Sequence, residues 1–144
     1  MVKSENNRAF TLTELLTVAV ILGIVAAIAV PKFTSASDEA TTNATLSELA
    51  KSRRAIDMYL YKNGQQPDIT AGAAPGAWGS LIGEDYLRVP PVNSHVDSAV
   101  ASTVSTAGSA DTAYQSTHGW VYDPATGKLW AGSFDADDKP IPAP

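Results

Sequence analysis

Hydrophobic residues are distributed unevenly along this chain. After a polar start, Phe10 opens an apolar stretch that runs to Val30 and carries one charge, Glu14. The 16 residues from Leu15 to Val30 contain no charge. At ~1.5 Å per residue they span about 24 Å, short of a hydrocarbon core of ~30 Å. Counted from Phe10 the helix has 21 residues and reaches about 31 Å, so a spanning helix takes Glu14 within or at the edge of the bilayer. A carboxylate there is expensive, so it calls for a capping role or a partner.

Pro31 follows the apolar stretch, removing an N–H and crowding the carbonyl of Ala27. One reading ends the helix at Pro31. The other bends or loosens it between Gly23 and Pro31 and continues, because helix-compatible sequence resumes at once. Phe33, Ala36, Ala40 and Ala44 then recur at spacings of three and four. Small residues in such a stripe permit close helix approach, either to a neighbour or to the molecule's own domain. Further on, Leu46, Leu49, Ala50, Ile56 and Leu60 form an apolar face suited to packing on a sheet, ended by Asn63-Gly64 and Pro67. Arg53 falls on that face, its stem expected along the core and its guanidinium snorkelling outward, with a buried ion pair to a strand carboxylate as the alternative. The pattern predicts one helix from Phe10 to Asn63, about 80 Å if continuous.

The periodicity then changes. Residues 94–118 are rich in Ser, Ala, Thr and Gly and predict a surface excursion or weakly ordered loop with at most one short strand. Beyond them, Gly119-Trp120-Val121-Tyr122 and Lys128-Leu129-Trp130-Ala131 flank a Pro- and Gly-containing turn, Asp123 to Gly127, and predict an antiparallel hairpin. Trp120, Tyr122 and Trp130 are assigned to the core or to cross-strand pairs rather than to a ligand site. The fold class is therefore α+β: a long N-terminal helix, transmembrane in its first half, packed on a small antiparallel sheet.

Charge and composition narrow the chemistry. The 144 residues leave room for one modest domain outside the membrane segment. Fifteen acidic and ten basic residues give a net charge of -5, with Arg53-Arg54 the one basic cluster, which argues against a nucleic-acid surface. There is no cysteine, so neither disulfides nor thiolate metal sites can form. His95 and His118 lie in polar loop sequence without a nucleophile or zinc spacing and are expected to face solvent. No catalytic constellation emerges, and the chain reads as a non-enzyme.

Three accounts of Glu14 remain. Thr11-Leu12-Thr13-Glu14 fits a capping box, in which Thr11 and Glu14 satisfy free N–H groups at a helix start and the acid complements the helix dipole. Alternatively, Lys3 and Arg8, the run Leu15 to Val25 and Ala27-Ile28-Ala29 fit a secretory signal peptide whose mature chain starts at Val30. Third, Ala9-Phe10-Thr11-Leu12-Thr13-Glu14 with the apolar run behind it resembles the prepilin processing signal of type IV pilins and type II secretion pseudopilins. Leu60 to Pro67, Trp78 to Leu81 and Tyr86 to Asn93 are similar to the helix exit and connecting region of the G-type major pseudopilins.

The resemblance implies a pilin-like fold and a division into a cytoplasmic leader (1–9), a transmembrane, filament-core half of the helix (10–31) and an extracytoplasmic domain (32–144). It implies cleavage by a prepilin peptidase between Ala9 and Phe10, where the family usually has Gly at the position of Ala9. Phe10 then becomes the N-methylated first residue. Phe10 and Glu14 would serve assembly with further copies and other pilins, aided by an inner-membrane platform. Lys3 and Arg8 before the run, and Asp38 and Glu39 after it, set the orientation in the cytoplasmic membrane. A loop after the last hairpin binds calcium in the G-type proteins, and Asp135 and Asp137 are the positions here that correspond; a solvated acidic turn is the alternative, and no other cofactor is implied. The function so implied is a pseudopilus subunit supporting protein secretion. The alternatives are a type IV pilin of a surface fibre and a secreted or membrane-anchored binding module.

Overall fold

A computed structural model describes residues 10–70, 78–83 and 86–143. The elements are one helix, α1 (Leu12–Asn63), and three strands, β1 (Val104–Thr106), β2 (Trp120–Asp123) and β3 (Lys128–Ala131). The chain divides into two compact units, the first ending at Asp38 and the second beginning at Glu39.

In the first unit α1 starts at Leu12 rather than Phe10, with Thr11 as the residue before the first turn. Helical conformation continues through Pro31, so the reading that ends the helix there is set aside. The hydroxyls of Thr34 and Ser35 both donate to the Pro31 carbonyl, at 2.9 and 3.1 Å. The large apolar side chains from Phe10 to Phe33 are exposed, including Leu15, Ile21, Leu22, Ile24 and Ile28. By length and composition this helix can cross a membrane.

In the second unit the helix presents Thr45, Leu49, Ser52, Ala55 and Ile56 inward. Ala50 and Leu60, expected on that face, are exposed. The row 45-49-52-56 keeps strict helical spacing, and two of its members are polar, which hid it from a count of apolar residues. Both hydroxyls are satisfied: Ser52 donates to the Glu48 carbonyl and Thr45 to Asn93 Oδ1. The helix ends where Gly64 takes a left-handed conformation (φ 71°) and its N–H reaches the Leu60 carbonyl at 2.8 Å, a geometry glycine adopts without a Cβ clash.

The sheet has the order β1-β2-β3. β2 and β3 form the expected antiparallel hairpin, with Val121 opposite Trp130. β1 instead runs parallel to β2, pairing Val104 with Trp120, so the sheet is mixed rather than antiparallel. Parallel neighbours need a long connection, and residues 107–119 supply it. The stretch read as a surface excursion thus holds one short strand, β1, and then most of the crossover to β2.

Alternation along β2 sends Trp120 and Tyr122 to one face and Val121 to the other. The first face meets Leu49, Ala55 and Ile56 of α1 with Ile69, Trp78, Leu81, Leu129 and Phe134. The second buries Val121 and Trp130 against Ala110 of the crossover. Trp120 is a core residue as expected, packed edge-on against Trp78 with ring centroids 5.9 Å apart. Its indole N–H reaches the carbonyls of Pro91 and Ala101. Gly119 lets the chain pass so close to Ala101 that a Cβ would run into the Ala101 carbonyl oxygen.

The hydroxyl of Tyr122 donates to the Pro67 carbonyl at 3.0 Å in the core. Burial, reinforced by the charges of Asp123 and Asp68, pushes its pKa up to about 12. An unfolded tyrosine ionises near ~10, so folding favours the neutral phenol. That contribution is whole below about pH 10 and is lost as the pH rises toward about 12. Denaturant midpoints measured along this range should fall in the wild-type chain, and the fall should be shallower in Tyr122→Phe.

Candidate functional site

The chemistry-bearing residues of the sequence fall at three places: the start of α1, its outer surface, and the C-terminal turn. At the start, Thr11 and Glu14 form a reciprocal cap. The Thr11 N–H donates to Glu14 Oε2 at 2.8 Å, and the Glu14 N–H donates to Thr11 Oγ1 at 3.2 Å. The Thr11 hydroxyl also donates to Glu14 Oε2, at 2.9 Å. This is the capping box that the spacing predicts, and it holds the acid within the first turn of the helix. One oxygen, Oε2, accepts both bonds; Oε1 accepts none among the described residues. Phe10 lies just outside the helix with its ring exposed. Ala9, the other side of the expected cut, and the leader lie outside the described residues.

Along the outer surface, Phe33, Ala36, Ala40 and Ala44 are all exposed. Gly23 has open space where a Cβ would stand. The apolar surface therefore continues past Pro31, and small residues leave it accessible to another helix.

At the C-terminal turn the carboxylates point to different tasks. Asp135 Oδ1 accepts the N–H groups of Asp137 and Lys139, both at 2.9 Å. Asp137 lies 4.0 Å from the Lys139 ammonium, and both are largely exposed. Asp138 takes up Arg53, whose Nη1 and Nη2 donate to its two oxygens at 2.7 and 2.9 Å while Nε donates to the Leu129 carbonyl at 3.0 Å. The guanidinium, still partly exposed, is thus paired, and its partner comes from the turn rather than a strand. Among the described residues no three His, Cys, Asp or Glu side chains converge as a metal would require. A calcium ion takes six to eight oxygens; the donor set around Asp135 and Asp137 does not fit one.

The two histidines differ from expectation: both are half-buried. His95 packs on Phe134 with centroids 5.1 Å apart and meets the Ile141 carbonyl through Nε2. His118 Nε2 is 3.3 Å from Asp111 Oδ2 without hydrogen-bond alignment, while Asp111 accepts the Ser133 N–H and the Gln115 amide. The other ring nitrogen of His118, Nδ1, meets the hydroxyl of the adjacent Thr117 at 3.0 Å. A cleft of about 510 Å³ beside the hairpin is lined by Arg53, Asp57, Lys128, Trp130 and Asp138, in which Arg53 and Asp138 are already paired.

The sequence reading did not single out Asn93 or Asp138 for these roles. Asn93 is wholly buried and its side chain bonds to Thr45, His95, Gly119 and Gly132. Its one sequence cue is membership of the Tyr86-to-Asn93 segment.

Comparison with known proteins fits this geometry. Residues 5–30 match the family described as the prokaryotic N-terminal methylation motif. The type II secretion system core protein G of Klebsiella michiganensis is 33% identical over 70 residues, 49% of either chain. That of Klebsiella pneumoniae is 34% identical over 68 residues, 47% of this chain and 49% of the relative. The core protein G of Escherichia coli K12 is 31% identical over 69 residues, 48% of each. The chain spans about half the length of the curated relatives it matches. No solved structure matches it.

Proposed function

We propose that this chain is a structural subunit of a type II secretion pseudopilus, processed by a prepilin peptidase and polymerised through its N-terminal helix. The observation that carries the proposal is the Thr11–Glu14 cap, set at the head of an exposed apolar helix and inside the stretch that matches the methylation motif. The similarity to core G proteins supports the assignment to secretion.

In this reading Lys3 and Arg8 stay in the cytoplasm while the apolar run crosses the inner membrane. The domain that follows stands outside. Cleavage of the Ala9–Phe10 peptide bond frees the Phe10 amine, which is methylated and meets the Glu14 carboxylate of a neighbouring copy. Extraction from lipid then exchanges contact with acyl chains for contact between the apolar helices of adjacent subunits. The chain builds a filament and carries out no chemistry of its own.

Mass spectrometry of the chain isolated from cells with an active prepilin peptidase should find an N-methylated Phe10 at the amino terminus. A mature chain starting at Val30 would instead make the segment a signal peptide and overturn the proposal. Deletion of the gene should leave a secreted substrate trapped in the periplasm.

A further inference from the structure

We infer that Arg53 supplies from within the chain the positive charge that fastens the C-terminal turn, so that the turn keeps its conformation without calcium. This inference stands apart from the assembly reading, since it concerns the folding of the second unit alone.

The turn is closed first by its own backbone. Asp135 N–H donates to the Lys139 carbonyl at 2.9 Å, Asp138 N–H to the Asp135 carbonyl at 3.1 Å, and Ile141 N–H to the Ser133 carbonyl at 2.8 Å. Asp135 Oδ1 adds the amides of Asp137 and Lys139, so the carboxylate at the head of the turn is satisfied by N–H groups. Asp138 then adopts a left-handed backbone, φ 60°, which Asp tolerates better than most residues. Its carboxylate meets the guanidinium of Arg53 in a two-pronged pair, and the third donor of the same fork holds the Leu129 carbonyl on β3. One side chain thereby ties helix, strand and turn together.

A divalent ion would need several carboxylate and carbonyl oxygens aimed at one point. Here two of the three carboxylates of the turn bond to N–H donors and the third faces an ammonium. A guanidinium already beside Asp138 would also repel a second cation. Fork geometry matters as much as charge, because a lysine ammonium cannot hold both carboxylate oxygens and the Leu129 carbonyl in one plane.

The test is amide hydrogen exchange across residues 134–141 together with thermal melting. It uses the full chain in detergent, with about 1 mM calcium or with excess EGTA, a range that separates extracellular calcium modules from calcium-free ones. The wild-type chain should show the same exchange and melting in both. In Arg53→Ala the turn amides should exchange about tenfold faster or more, equally in both buffers. Arg53→Lys should recover part of the protection, and Asp138→Asn should loosen the turn as Arg53→Ala does. Faster exchange or a lower melting point of the wild-type chain in EGTA would overturn the inference, as would unchanged exchange of the turn in Arg53→Ala. The wild-type comparison decides even where a variant fails to fold.

Discussion

Glu14→Ala should yield a chain that inserts, is cleaved and folds its second unit normally, yet forms no filament. Removing the side chain takes away the acceptor for the Thr11 N–H and hydroxyl. If capping were the whole role, the loss would be about 0.5–2 kcal/mol of helix stability, and fraying of one turn would leave assembly largely intact. The larger consequence comes from charge. On the proposed processing, cleavage before Phe10 would create an ammonium at the positive end of the helix dipole, the least favourable end for a cation. In a low-dielectric setting that charge needs an anion, and Glu14 carries the one carboxylate between Phe10 and Asp38.

Glu14→Gln separates the two roles. A glutamine amide oxygen can still accept the Thr11 N–H, since the capping box tolerates either residue, but it carries no charge. Filament yield, scored by shearing and immunoblotting beside the amount of cleaved monomer, should therefore be lost in Glu14→Gln as fully as in Glu14→Ala. Wild-type filament yield in Glu14→Gln would reduce Glu14 to a cap.

What could be read from sequence here was mostly local. The cap spans Thr11 to Glu14, the hairpin turn Asp123 to Gly127, and the helix stop Asn63 to Gly64; in each, a short spacing carries its own physics. The apolar run was equally plain because it needs no partner to be recognised. The pieces that escaped join distant residues. β1 is three residues of Val-Ser-Thr whose parallel partner begins at Trp120. Arg53 and Asp138 are separated by 85 positions. Even the inner face of α1 was misplaced where Thr45 and Ser52 replaced apolar residues, since their burial depends on hydrogen bonds rather than hydropathy. Polar groups that organise a core leave no trace in the apolar pattern, and their position is fixed only when the strands around them are in place.

Asn93 is the clearest such group, and Asn93→Leu should remove a large share of the stability of the second unit. Its Nδ2 donates to the carbonyls of Gly119 and Gly132, at 2.8 and 2.9 Å. Its Oδ1 accepts the Thr45 hydroxyl at 3.1 Å and the His95 N–H at 2.9 Å. These four bonds join the helix, the segment ahead of β1, and the residues just before β2 and just after β3, in a site with no exposure. Leucine keeps the γ-branched outline but is bulkier, and it makes none of these bonds: the Gly132 carbonyl and the Thr45 and His95 donors lose their partner, while the Gly119 carbonyl keeps the Gly132 N–H. At about 1–3 kcal/mol for each unsatisfied buried group, with partial relaxation, the change should cost roughly 3–5 kcal/mol. That is a large share of the ~5–15 kcal/mol available to a small domain. Asn93→Asp makes the cause visible: its carboxylate would face two carbonyl oxygens, so this variant should regain stability as the pH falls and the acid takes a proton. Urea unfolding followed by tryptophan fluorescence reads both, because Trp120 shares the same core. A midpoint for Asn93→Leu close to wild type would mean that solvent reaches those carbonyls and that the hub holds nothing together.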